Sequence, residues 1–259
     1  MIAGAIKSED IIPENLKLAI MGEKNTGKST LAVSTPHKPV FVFDFDGRQE
    51  SIAGKPGVFI KQYIDINPLA PSAFNNFIAD IGRFEYMKAQ KQEIPLTFVI
   101  DSMTFCSKAA ITQALATSPA GRKEISLGGY KFYIARGYEP YDCELGGISN
   151  AILRLFALGD TIVTFHERPE ESPDSTSEEP RFTGRVAVHP PRMRTAILPM
   201  FNEFWRIKAL GQHKFEVQTS QDYTFMGYTC LKIEDKEDAD ITKILTKHQA
   251  RMNQKDVKS

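Results

Sequence analysis

Apolar and polar positions along this chain keep two different periods. Continuous apolar runs of strand length occur at Leu16–Met21, Pro39–Phe43, Leu96–Ile100 and Thr161–Phe165. Between them, apolar positions recur at helical spacing. Phe74, Phe77, Ile78, Ile81, Phe84 and Met87 predict a helix over 72–93, which Pro95 closes. Further helices are expected from Gly27 to about Pro36, from Thr104 to about Leu115, and over 144–158. Toward the C-terminus the pattern changes to short alternating strands at Phe204–Lys208, Phe215–Val217 and Tyr223–Leu231. The last twenty or so residues are polar and read as a frayed helix. The stretch 118–141, rich in Gly, Tyr and basic residues, reads as an elaborated loop, and Glu167–Pro180 as an acidic, mobile surface loop.

Strands that are almost wholly apolar and alternate with helices imply an α/β fold, with a mostly parallel central sheet covered on both faces by helices. The short C-terminal strands extend it. The expected organisation is a lead over 1–15, one domain over 16–233 and a polar tail over 234–259.

Composition narrows the function classes only slightly. Lys and Arg number 32 against 32 Asp and Glu, so bulk charge does not advertise a nucleic-acid partner, and any such partner must be read from local charge. No apolar run approaches the roughly 18 residues that span a bilayer, and the N-terminus has acids and a proline where a signal peptide would be apolar. A cytoplasmic protein with no membrane partner is the expectation. Cys106, Cys143 and Cys230 show neither paired spacing nor a nearby histidine, so they suggest neither a disulfide framework nor a zinc site. His189 and His213 show no ligand spacing and read as structural, and the single Trp205 reads as core.

The chemistry lies directly after the first strand. Gly22-Glu23-Lys24-Asn25-Thr26-Gly27-Lys28-Ser29 matches G-x-x-x-x-G-K-[ST], and Thr30 continues it into a helix. Glycines let such a loop wrap tightly, so that backbone N–H groups and the helix N-terminus face phosphate. Lys28 then reaches the outer phosphates and Ser29 ligates magnesium. Asp101 closes the third strand and is the expected second magnesium-holding group. Asp44 and Asp46 end the second strand, and their spacing of two puts them on one face. Asp46 is the candidate for orienting or deprotonating the attacking water, with an ordinary Asp-Gly turn as the competing reading. His166 ends the fourth run and could report the γ-phosphate to the loop that follows. No Asn-Lys-x-Asp string is present to read guanine, so ATP with Mg2+ is the expected cofactor pair.

These blocks resemble the phage Sak4-type recombinases, single-domain relatives of the RecA core. The resemblance runs from about Leu16 to Ile233 and rests on Gly22–Thr30, on Val40–Gly47, on Phe98–Ser102 and on Ile162–Glu167, with Leu198–Trp205 similar to the family's post-loop strand. It implies a RecA-like P-loop NTPase core in which Asp46 is the catalytic carboxylate and His166 stands where RecA proper has glutamine. It also implies an ATPase that binds single-stranded DNA and promotes annealing or strand exchange. Such a protein would act as a homo-oligomeric filament or ring, and could work alongside a single-strand-binding protein. Two loops would touch DNA, over 118–138 and 167–191. In the first, Arg122, Lys123, Lys131 and Arg136 interleave with Tyr130, Phe132 and Tyr133, a mixture suited to phosphate neutralisation and base stacking. In and beyond the second, Arg185, Arg192 and Arg194 are the candidate contacts, while its acids would stay in solvent. Two other readings share the phosphate loop. One is an ATPase switch acting on a protein partner, and the other is a small-molecule phosphotransferase, for which no arginine-bearing lid is visible.

Overall fold

The computed structural model describes residues 15–171, 182–188, 191–212, 214–222, 225, 227–231 and 233–256. Its centre is a ten-stranded sheet. Strands β1 (Lys17–Gly22), β2 (Val40–Asp44), β3 (Val58–Gln62) and β4 (Thr97–Asp101) come from the first half of the chain. A separate hairpin, β5 (Arg122–Leu127) and β6 (Tyr130–Ala135), precedes β7 (Asp160–Glu171), β8 (Phe182–Val186) and β9 (Glu203–Gly211). Strands β10 (Lys214–Gln218), β11 (Tyr228–Thr229) and β12 (Lys236–Asp238) complete it. The order across the sheet is β12-β10-β9-β1-β7-β4-β2-β3, with β11 added to β9 and β8 to β7. Strands β9, β1, β7, β4, β2 and β3 run parallel to their neighbours, while the C-terminal additions are antiparallel.

Alternation along each strand builds two cores. Ala19, Met21, Phe43, Phe98, Ile100 and Phe165 point to one face. There α2 (Ala73–Ala89), α3 (Met103–Thr117) and α4 (Glu139–Leu158) bury Phe77, Ile81, Cys106, Ile152 and Leu155 against them. Phe43 and Phe77 meet edge-on at 4.9 Å between ring centroids. Leu18, Ile20, Val40, Val42, Val99 and Ile162 point the other way, toward Leu31 of α1 (Lys28–Ala32) and Ile241 and Ile244 of α6 (Ile241–Asp256). Trp205 is fully buried in this second core. The C-terminal helix is therefore docked at its start rather than frayed, because its first turn offers two isoleucines to the sheet.

Several expectations need correction. The stretch 118–141 is not a loop but the β5–β6 hairpin, followed by the first residues of α4. Its turn is Gly128-Gly129, both at positive φ (57° and 82°), the pair that a two-residue hairpin turn needs. The acidic segment after Glu167 is strand as far as Glu171, where β7 pairs with β8 from Glu167↔Val186 to Glu171↔Phe182. Among the described residues of 223–231, only Tyr228–Thr229 pairs as strand. Helix α4 begins at Glu139, because Pro140 suits a helix's first turn. Helix α1 ends at Ala32, and edge strand β3 falls in a segment with no strand expectation. His189, His213 and residues 172–181 lie outside the described residues. Among the described residues, no helix is long and apolar enough to cross a membrane.

Candidate nucleotide site

Parallel strands end together, and here their carboxyl ends deliver the polar residues. Registers place Gly22 of β1 beside His166 of β7, Met21 beside Arg206 of β9, and Asp44 of β2 beside Asp101 of β4. This edge of an open α/β sheet is where ligands bind.

The loop from Gly22 to Lys28 has the backbone its sequence demands. Asn25 and Gly27 both take positive φ (63° and 83°), the left-handed turns from which anion-binding backbone concavities are built. Gly22 is required for another reason. A Cβ there would lie 2.7 Å from Thr26 Oγ1 and 2.8 Å from the Ile207 carbonyl oxygen. Thr26 Oγ1 donates to the Glu23 carbonyl at 2.9 Å and braces the loop from within. Glu23, Lys24 and Asn25 are exposed, while Ser29 and Thr30 are half-buried on α1.

Lys28 is only 6% exposed, and its ammonium donates to the Glu23 carbonyl at 2.5 Å. Burial pulls its pKa below the ordinary lysine value. Asp101, Asp46 and Glu167 pull the other way, and the positive charge of Arg48 adds to the depression. A buried cation resting on one carbonyl is a cation with donors to spare.

Each carboxylate around it has a distinct setting. Asp101 is buried, and its Oδ1 accepts from Thr164 Oγ1 at 2.6 Å. Asp44 is buried as well, and burial raises its pKa. Its Oδ1 accepts the N–H groups of Asp46 at 3.0 Å and Gly47 at 2.7 Å, so it fixes the turn on which Asp46 is mounted. The two aspartates therefore do not share one face of a strand. Strand β2 ends at Asp44, and Asp46 stands beyond it in the crevice. There Asp46 Oδ2 lies 3.4 Å from His166 Nε2, and Oδ1 lies 3.5 Å from Arg48 Nε.

His166 Nε2 is buried and makes no hydrogen bond among the described residues. Burial, then the charge of Lys28, lowers its pKa, with Asp46 opposing, so the imidazole is neutral near pH 7. Its backbone N–H donates to Thr104 Oγ1 at 3.1 Å, and its ring meets Phe105 edge-on at 5.6 Å. Glu167 turns away to Arg206, which grips it through both Nε (3.0 Å) and a terminal nitrogen.

The residues read from the sequence as site groups are thus brought together at Lys28, Asp46, Asp101 and His166. Thr164, Arg206, Asp44 and Arg48 join them without having been anticipated in those roles. Strand register alone brings Thr164 and Arg206 to the site. Asp44 and Arg48 flank the Asp46-Gly47 turn, so Asx-turn chemistry was the signal for Asp44.

The peripheral basic residues are placed differently. Arg122 donates to the Leu115 carbonyl at 2.9 Å and stacks 3.9 Å over the Tyr133 ring, which anchors the hairpin to α3. Lys131 pairs with Glu124 at 2.9 Å, and Lys123 and Arg136 are exposed. Arg194 pairs with Glu170 at 2.6 Å, so this acid is engaged rather than left to solvent. Arg185 is half-buried on β8, and the side chain of Arg192 lies outside the described residues.

A strand–loop–helix phosphate cradle at the carboxyl edge of a helix-covered parallel sheet, with its buried lysine and facing acids, defines a P-loop nucleotide-binding protein. Residues 14–224 match the AAA_24 family, an AAA domain. The match takes in most of the chain, and the protein belongs to this family of P-loop ATPases. No curated protein matches the chain.

Proposed function

We propose that the protein is a magnesium-dependent ATPase whose turnover is coupled to single-stranded DNA, in the service of annealing or strand exchange. The observation that carries this reading is the continuity of β7. One strand brings His166 to the acid of the nucleotide site, then runs on to Glu171 as an arm of the β7–β8 hairpin. A change felt at His166 is passed to the periphery by a single element.

The residues present fit ATP and magnesium. The loop's left-handed turns suit phosphates, Lys28 has unused donors, and Ser29 and Asp101 are an alcohol and a carboxylate of the kind magnesium takes. Magnesium supplies Lewis-acid stabilisation of phosphate oxygens when bound. Asp46 orients the attacking water and takes its proton at Oδ2, the oxygen that faces His166. Neutral His166 offers a nitrogen that makes no hydrogen bond among the described residues and lies 3.4 Å from Asp46 Oδ2. Thr164 holds Asp101 in place, and Arg206 holds Glu167 by a paired contact.

The β5–β6 hairpin supports the DNA part. Its tip presents Tyr130, 80% exposed, and Leu127, 73% exposed, beside Lys131, while Lys123 and Arg136 are exposed nearer its base. Large exposed side chains among cations suit stacked bases with phosphates alongside. Filament or ring assembly, a single-strand-binding partner, a phage origin and a cytoplasmic setting all belong to this reading.

The test is fluorescence anisotropy of a labelled single-stranded oligonucleotide, titrated with protein with and without ATP and magnesium. Affinity that rises with ATP and falls with salt supports the reading. A protein that binds ATP but no DNA under any nucleotide condition would instead be a switch acting on another protein.

A further inference from the structure

The Asp46 carboxylate is held from two sides, and only one of the holders has a place in the mechanism above. His166 faces Oδ2, while Arg48 reaches Oδ1 through Nε at 3.5 Å, a loose contact for a guanidinium and a carboxylate. Arg48 follows directly on the turn that Asp44 pins through the N–H groups of Asp46 and Gly47. Gly47 makes that turn with a φ of 72°. The backbone is therefore fixed, while the Arg48 side chain remains half-exposed and able to pivot.

The positive charge of Arg48 also acts on the Lys28 ammonium. Two mutually repelling cations thus border the same crevice. Asp101 nearby accepts from the neutral Thr164 hydroxyl, and Glu167 is held by Arg206. The hold of Arg48 on Asp46 is loose, so its charge remains available to an incoming phosphate.

We propose that Arg48 is a second cationic contact for the terminal phosphate of the bound nucleotide, resting on Asp46 and exchanging that contact for phosphate oxygens on binding. Phosphate suits a planar guanidinium, whose terminal nitrogens make no hydrogen bond among the described residues, better than a single carboxylate oxygen at 3.5 Å does. Because the contact is made to the terminal phosphate, Arg48 discriminates ATP from ADP. The inference rests on the nucleotide-binding reading of the site.

The experiment measures affinities of the full-length protein for ADP and for a non-hydrolysable ATP analogue, both with magnesium, by calorimetry. Wild type is compared with Arg48→Ala and Arg48→Lys, and melting temperatures are recorded without nucleotide. Loss of one charge-assisted phosphate contact should weaken the ATP analogue about tenfold in Arg48→Ala and ADP less than about twofold. Arg48→Lys should fall between, and the melting temperatures should agree. An unchanged ratio of ATP-analogue to ADP affinity in Arg48→Ala would show that Arg48 only positions Asp46, and would overturn the proposal. Wild-type protein that binds neither nucleotide would instead remove the nucleotide reading beneath it.

Discussion

The two edges of the central sheet carry similar residue types and use them in opposite ways. At the amino edge, polar groups close on one another. Asp160 accepts the Leu16 N–H at 2.8 Å and lies 2.5 Å from His37 Nδ1. Thr97 Oγ1 donates to the His37 carbonyl, and Lys88 donates to the carbonyls of Ala157 and Leu158. At the carboxyl edge, another histidine and aspartate stand 3.4 Å apart, and that histidine nitrogen makes no hydrogen bond among the described residues. Lys28 there rests on a single carbonyl. Burying polar groups is costly unless they are bonded, so a closed network is architecture. An unfinished one keeps its capacity for a ligand. The same His–Asp vocabulary therefore has structural meaning at one end of the strands and functional meaning at the other.

Substitutions can break that contrast. The largest expected effect is from Asp46→Asn, which keeps shape but removes the proton acceptor. Phosphate release should slow by roughly 10²–10⁴-fold, the usual contribution of a general base, with ATP affinity nearly unchanged. Next is Lys28→Ala, which should weaken ATP by about 10–100-fold in calorimetry, as the loss of charged hydrogen bonds implies. Its melting temperature without nucleotide should not fall, because the ammonium is buried with its pKa depressed.

Asp160→Ala at the amino edge should show the reverse pattern. It orphans the Leu16 N–H and the His37 ring, costing about 1–3 kcal/mol in denaturant unfolding and leaving ATP affinity alone. The smallest effect sharpens the comparison through pH. The folded pKa of His166 is depressed, so the unfolded chain binds the proton first as pH falls. Its contribution to stability is present above the ordinary histidine value of about 6.5 and is lost as pH drops toward the folded pKa. His166→Gln should flatten that part of the stability–pH curve, measured by urea unfolding at a series of pH values.

What the sequence disclosed follows the range of the interactions. The phosphate loop was legible whole, because its glycines, brace and lysine act within eight consecutive residues. Asp101 and His166 were legible as polar residues that end apolar runs, which a parallel sheet must gather at one edge. Thr164 on Asp101 and Arg206 on Glu167 were not, since each pair is set by which strands adjoin and in what register. Edge strand β3 escaped notice because only one flank is paired, and Phe59, Lys61 and Gln62 are exposed. The β5–β6 hairpin had a local signal in Gly128-Gly129, but its strands bury little apolar surface, and β5 opens on three consecutive charged residues, Arg122-Lys123-Glu124. The end of α6 that docks on the sheet offers Ile241, Ile244 and Leu245 ahead of a largely polar remainder, too short a run to set a period.

The most direct test of the carboxyl edge as the nucleotide site is a thermal-unfolding titration of wild type and Lys28→Ala with ATP and magnesium. A ligand bound only by the folded state stabilises it by about 2.7 kcal/mol at a hundredfold excess over Kd. The account expects the wild-type midpoint to climb steadily with ATP, and the Lys28→Ala midpoint to stay near its starting value over the same range. Equal climbs in the two proteins would place ATP binding elsewhere and contradict it.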